Sequence, residues 1–355
     1  MNQRTHSWIA IRAIALLADE DKALNRRSGL VRLLKPHAGM ATVGAWIPDQ
    51  TDARRAGGRV DNHVLKIEPY CGKDNVERFI ARKDVLLKRV GARRKLGRLV
   101  KADSSLPKTW WAQPYKGDVK KAGQHLPNRA MSMTTMMKDL LVLGSEAVDK
   151  LLPGKIDFIK YVGRKARTRE EAAALYFFML SHFLADMCMP CHCDGRKLSS
   201  YGGGIPEKQH KNKRPLHKTW EHHWAAKVGP YFEKENLLKS SGAPKPATVL
   251  KRARAVDAAV GLAFSPSVPP LAKKTDVWLD CINVCRLSFA VASIAAPPGN
   301  YPYDDPKARA TFDELFNGST GQDLLRAMDR AVLHDAVLNT AMVWRHIWGG
   351  VSAKS

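Results

Sequence analysis

Long apolar runs are missing from this chain. No stretch approaches about 18 uninterrupted apolar residues, so no transmembrane helix is expected. The longest contender, VWLDCINVCRLSFAVASIAA, is interrupted by Asp280, Asn283 and Arg286. Cysteine is sparse. Six in 355 residues do not form a disulfide framework. Cys281 and Cys285 stand one helical turn apart and read as core thiols. A leader is not evident either. The start, MNQRTHSWIAIRAIALLADEDK, breaks its apolar run at Arg12, continues into acids and offers no small-residue cleavage site. A reducing interior, hence a cytoplasmic location, is the expectation. Acids are few: 34 against 58 basic residues, for a formal charge of +24. Such a surface attracts polyanions, whether nucleic acid, an anionic membrane surface or a phosphate-bearing substrate. Alternating strand patterns are nearly absent, with NHVLKIEPY the one short instance. There is no internal repeat.

What is present is helical. Hydrophobic residues make up 45% of the chain, enough for a large core and too many for disorder. THSWIAIRAIALLA begins with Thr5 as an N-cap and sets His6, Ile9 and Ala13 near one stripe. TREEAAALYFFMLSHFLADM opens on a capping-box pattern, Thr168 to Glu171, then runs apolar on nearly all sides, as a buried central helix would. HKTWEHHWAAKV follows Pro215 as another helix, and TDVWLDCINVCRLSFAVASIAA and GQDLLRAMDRAVLHDAVLNTAMVWRHIW close the chain. The expected fold is therefore all-α, one domain over 1–355. Residues 66–130 and 236–275 read as insertions, the first irregular and basic, the second rich in Pro, Ser, Ala and Lys. Lys88 to Lys101 holds seven basic residues and no acid, usually a solvated face but here equally suited to a polyanion. The segment DGRKLSSYGGGIPEKQHKNKRPL, rich in glycine and lysine, reads as a surface loop.

The densest chemistry lies in SHFLADMCMPCHCD, Ser181 to Asp194, with two histidines, two aspartates and three cysteines. Cys188-Met-Pro-Cys191-His192 has the spacing of a haem-attachment site, but such attachment needs export, and no leader is visible. Cys188, Cys191 and Cys193 could form a thiolate cluster, yet the second half of a structural zinc site is missing. They read as bystanders. His182 and Asp186 are four apart, on one helical face, and can reach one metal ion. Met189-Pro190 should end that helix and carry His192 away toward a second site. His217 and Glu221 repeat the four-residue spacing. Imidazole and carboxylate donors together suit zinc. A surface His/acid pair is the ordinary explanation of any one such spacing. The first pair, however, sits in an apolar helix, where uncompensated ionisable groups are costly. His210, His222 and His223 read as solvated surface; His37, His125, His334 and His346 have no partner pattern; and Trp8, Trp220 and Trp224 read as core.

THSWIAIRAIALL, GAWIPDQTD, DNHVLK, HFLADMCMPCH and HKTWE occur in an order and spacing that resemble bacterial zinc-dependent phospholipase C and the related single-strand-specific zinc nucleases. The fourteen-residue step from Asp49 to His63 resembles the phospholipase branch, as does Glu221, where the nuclease branch has aspartate. AVLHDAVLNTAMVWRHIWGG is similar to the family's closing helix. The resemblance implies a helical bundle with a zinc cleft. Asp49, His63, His182 and Asp186 would hold one ion, with Asp52 the alternative to Asp49. Asp186 would bridge to a neighbour also held by His6 and the chain's N-terminus, and His192, His217 and Glu221 would hold a third. The family's mature first residue is commonly a tryptophan freed from a leader, and its members are commonly secreted. Here four residues separate Met1 from His6, so either its amine fills that role or two zinc ions suffice. The implied reaction is attack of a zinc-bound hydroxide on a phosphodiester, with Asp49 orienting the water or taking its proton. A phospholipid is the expected substrate. A nuclease acting on single-stranded nucleic acid is the alternative, favoured by the charge. A non-catalytic, basic polyanion-binding protein on the same scaffold is the third reading.

Overall fold

Asn2, not Thr5, caps the first helix: its side chain accepts from the Arg4 amide, and Thr5 is buried one turn in. In this computed structural model the described residues are 1–49, 126–143, 169–194, 216–237, 244–271, 277–295 and 321–352. They form helices α1 (Gln3–Ala23), α2 (Gly29–Leu34), α3 (Ala41–Gly44), α4 (Leu126–Leu143), α5 (Arg169–Asp186), α6 (Pro190–Cys193), α7 (Leu216–Val228), α8 (Lys234–Leu237), α9 (Pro246–Val260), α10 (Val277–Ala295) and α11 (Gly321–Ser352). Short 3-10 segments span Lys35–Met40 and Pro230–Phe232. No β-strand occurs among the described residues, so the fold is all-α as expected. The segment NHVLKIEPY, the Lys88–Lys101 run, Asp52, His63, His125 and His210 lie outside the described residues.

α1 is the axis. It packs against α11, α9, α3, α5 and α7, which is why apolar residues cover nearly its whole circumference. Trp8 is fully buried and donates from Nε1 to the Ala253 carbonyl of α9 at 3.0 Å. Trp344 of α11 does the same toward Phe177 of α5 at 3.0 Å. A fully buried indole keeps its hydrophobic contribution only if its N–H finds an acceptor. Both do, and each bond also fixes the register of two helices. Arg12 is buried at 4% exposure because Asp257 receives its guanidinium at 2.8–3.0 Å and Phe264 covers its face at 4.4 Å. α9 lies inside the stretch 236–275, and α4 begins inside 66–130. Both helices are packed elements of the core: α9 on α1, α4 on α5, α10 and α11.

α5 is apolar all round, as its sequence suggests, with Glu170 and Glu171 in its first turn, where carboxylates oppose the positive end of the helix dipole. It stops at Asp186. Met189 is extended (φ −76, ψ 112) and Pro190 starts α6, since proline disfavours helix in the residue before it. α6 seats on α10, where Ser288 and Cys193 both donate to the Met187 carbonyl. Cys188, Cys191, Cys193, Cys281 and Cys285 are all buried free thiols. Burial and neighbouring thiols, above all Cys193, push the Cys285 thiol well above its ordinary value. They behave as core, as expected.

α7 is tied to α11 by one carboxylate. Asp329 is fully buried and accepts from Trp224 Nε1 at 2.7 Å, His223 Nε2 at 2.6 Å and Lys227 Nζ at 2.8 Å. His223 is therefore a structural donor rather than a surface residue, while His222 is exposed as expected. Burial alone would raise the Asp329 pKa. His223 and Lys227 outweigh it and hold the group below the ordinary carboxylate value. The sign follows: its contribution to stability is present above the unfolded value of about 3.9 and lost as the pH falls through the lower folded value.

Two outcomes are expected. A Cβ on Gly44 would meet Phe178 Cβ at 2.5 Å and the Leu175 carbonyl at 3.1 Å. Gly44→Ala should cost about 1–3 kcal/mol, read as a lower urea midpoint at unchanged slope; an unchanged midpoint would contradict the close approach of α3 to α5. Asp329→Asn should lower the urea midpoint near neutral pH, and the gap from wild type should shrink below about pH 4. A gap that widens in acid would reverse the assigned sign.

Candidate metal centre

The centre begins where α5 ends. Asp186 is 1% exposed and His182 fully buried. His182 Nε2 stands 3.0 Å from Asp186 Oδ2, across one turn of helix. α1 brings His6 to the same point, its Nε2 3.3 Å from Asp186 Oδ1. The rings of His6 and His182 stack with centroids 4.0 Å apart. Such a pair of imidazoles is stable only if not both are charged. α3 supplies the outer support: His182 Nδ1 donates to the Ala45 carbonyl at 2.6 Å. That bond fixes the ring and leaves Nε2 facing Asp186, the nitrogen that would ligate a metal ion once free of its proton. Asp49 stands at the rim with its side chain 40% exposed and Oδ1 3.5 Å from His182 Nε2.

A second group adjoins the first. His192 Nε2 faces His217 Nε2 at 2.9 Å, and His217 Nε2 lies 3.2 Å from Glu221 Oε1. The expected bend at Met189-Pro190 is present but does not carry His192 away. Its Nδ1 remains 3.3 Å from Asp186 Oδ1. The reason is local: Met189 N bonds the Asp186 carbonyl at 3.0 Å and His192 N bonds Met189 at 2.9 Å, folding the chain back on itself. The Met1 amine joins the groups, 2.9 Å from Asp186 Oδ1 and 3.1 Å from Glu221 Oε1.

The donor atoms fit divalent cations. In each of the sets His6/His182/Asp186 and His192/His217/Glu221, one ligand atom per residue lies within 4.8 Å of the others. Donors about 2.05 Å from a tetrahedral centre stand about 3.3 Å apart. The named separations of 2.9–3.5 Å bracket that edge. Among the described residues His6 Nδ1 has no hydrogen-bond partner and Nε2 has only its 3.3 Å contact with Asp186, and both nitrogens are buried. The Nδ1 of His192 is buried without one as well. Buried imidazole nitrogens of this kind carry a desolvation cost that ligation would offset.

Protonation at His6, His192, Asp186 and Glu221 favours the same use. Burial first, then His182 and the Met1 amine, lower His6 from 6.5 to about 4, so it is neutral near pH 7. Burial, the amine and His217 lower His192 well below 6.5, although Asp186 pulls the other way. Asp186 is ionised: burial opposes its charge, but the amine, His182, His192 and His6 hold it well below its ordinary value. Glu221 is lowered in the same manner, burial being outweighed by the amine and His217. Against burial, Asp186, Glu221 and Asp49 raise the amine from 8.0 to about 11, and Asp186 and Asp49 raise His182. Neutral imidazoles and ionised carboxylates bind a cation as they stand, whereas the amine and His182 would give up a proton to bind one.

Of the nine residues singled out in the sequence, Met1, His6, Asp49, His182, Asp186, His192, His217 and Glu221 converge. His63 lies outside the described residues. Two supports escaped sequence reading. The Ala45 carbonyl carries no side-chain signal, though it lies in the quoted GAWIPDQTD. Asp329 is an acid within the largely apolar closing helix, a pattern that marks a buried partner only once α7 is seen beside it. Compared with family models, curated proteins and solved structures, the chain matches none.

Titrating zinc into metal-free protein should raise the thermal midpoint, by the equivalent of about 2.7 kcal/mol when the free ion is 100-fold above its Kd, and a chelator should reverse the gain. His182→Ala and His217→Ala should each forfeit part of it. A midpoint indifferent to divalent ions in the wild-type protein would sink the assignment.

Proposed function

We propose that this protein is a zinc-dependent phosphodiester hydrolase of phospholipase C type. The observation that carries the reading is the meeting of two donor sets drawn from α1, α5, α6 and α7, His6/His182/Asp186 and His192/His217/Glu221, joined where His192 Nδ1 lies 3.3 Å from Asp186 Oδ1. A structural cation needs only one such set; two adjoining sets suit phosphoryl chemistry, where both the attacking and leaving oxygens need charge support. The supporting resemblance is the ordered motifs named above, with Glu221 and the Asp49–His63 step favouring the phospholipase branch.

His6, His182 and Asp186 on one side and His192, His217 and Glu221 on the other would hold divalent cations, which would supply Lewis acidity toward water and phosphate oxygen. The chain's own residues do the rest. Asp49 is the half-exposed carboxylate of the centre and takes the proton of the attacking water at its Oδ. His182, held through Nδ1 by Ala45, keeps its Nε2 aimed at the same spot, so geometry is set before substrate arrives. Asp186 holds the two donor sets in one frame. On the other side of the frame, His192, His217 and Glu221 stand where a leaving oxygen would be stabilised.

The second reading, a single-strand nuclease on the same scaffold, is favoured by one observation, the formal charge of +24. One experiment separates the readings. Zinc-replete protein is assayed on phosphatidylcholine vesicles and on single-stranded DNA, with and without chelator. The expected result is chelator-sensitive release of diglyceride and phosphorylated head group. Asp49→Asn should lower kcat by about 10²–10⁴-fold, the usual contribution of a general base. Cleavage of DNA alone would establish the nuclease. Zinc binding with neither substrate turned over would leave a metal-stabilised binding protein.

A further inference from the structure

We infer that Asp329 is a positioning residue for the His192/His217/Glu221 set, fixing how far α7 is rolled about its own axis. The inference rests on the metal-binding half of the reading above and is independent of the hydrolytic half. Asp329 belongs to α11, which packs on α1, α4, α5 and α9 and so gives a rigid base. Its carboxylate receives three donors from α7 alone: Trp224 Nε1 at 2.7 Å, His223 Nε2 at 2.6 Å and Lys227 Nζ at 2.8 Å. His217 and Glu221 lie on the neighbouring stripe of the same helix, about a quarter-turn away at 3.6 residues per turn.

Magnitudes show why such a device is needed. Side-chain tips stand about 5–6 Å from a helix axis, so a roll of about 10° moves them by about 1 Å. A metal site tolerates about 0.2 Å in its ligand distances. The apolar contacts of Trp220, Trp224 and Val228 hold α7 against the core, but dispersion and burial are not directional. Three hydrogen bonds to an ionised carboxylate are directional. They converge on one residue of α11 and admit a narrow range of roll. The first set needs no such anchor, since Asp186 and His182 share a helix and Ala45 orients the ring.

The test uses the full-length protein and zinc alone, titrated against a chromophoric chelator. Wild-type protein should show two binding classes, assigned by their loss in His182→Ala and His217→Ala. Asp329→Asn should weaken the His217-dependent class by about 10–100-fold, as loss of an outer support does, and leave the His182-dependent class within about two-fold. The double variant H223Q/K227M keeps Asp329 and its Trp224 bond, and should shift the same class in the same direction by less; it carries the test should Asp329→Asn not fold. A merely structural role would weaken both classes together, in step with the thermal midpoint, and that result overturns the inference. Two unshifted classes overturn it as well, leaving the metal reading intact. Wild-type protein that binds no zinc overturns both.

Discussion

A carboxylate taken almost wholly out of water governs this molecule. Asp186 is 1% exposed, and an ion in that position costs several kcal/mol unless its surroundings compensate it. The surroundings are the Met1 amine, His6, His182 and His192, each within 3.3 Å of a carboxylate oxygen. None of these groups is near Asp186 by accident of packing. Three segments must be in place together for the charge to be tolerated: the front of α1, the last turn of α5 and the whole of α6. The centre is therefore a condition on the fold as much as a product of it.

The supports of that centre are borrowed from outside it. Ala45, at the end of α3, offers its carbonyl to His182 because Gly44 lets α3 lie against α5 with no side chain between. Asp329, on α11, holds α7 by three donors. Pro190 ends α5 and starts α6, so that His192 returns to Asp186 after a tight turn. A glycine, a buried acid and a proline thus each do what a ligand cannot do for itself, which is to fix direction. The thiols beside His192 are buried against α10, where Cys193 donates to the Met187 carbonyl.

Electrostatics works on two scales here. At long range, +24 favours any phosphate-bearing partner. At short range the acids Asp49, Asp186 and Glu221 concentrate negative charge in one place, and divalent ions are the natural complement. A phosphodiester would meet both: drawn by the surface, then held by cations seated on carboxylates.

Residue order alone was enough for the all-α class, for the helices from Gln3, Arg169, Leu216, Val277 and Gly321, and for the donors at His182/Asp186 and His217/Glu221, because helical period and four-residue spacing are local properties. The core indoles Trp8, Trp220 and Trp224 were legible for the same reason. Caps were less so: Asn2 and Thr5 both suit the start of α1, and only the backbone path selects between them. His223 read as surface because its acceptor is 106 residues away on α11. The stop at Pro190 rightly placed His192 with a second donor set, but a helix stop states where regular structure ends and not how tightly the chain turns, so the nearness of His192 to Asp186 was missed. Tertiary packing decided that His192 links the second donor set to Asp186 of the first, that Ala45 and Asp329 stand behind them, and that α9 belongs to the core. These are contacts between residues far apart in the chain, and no pattern of neighbours along a sequence encodes the angle at which two helices meet.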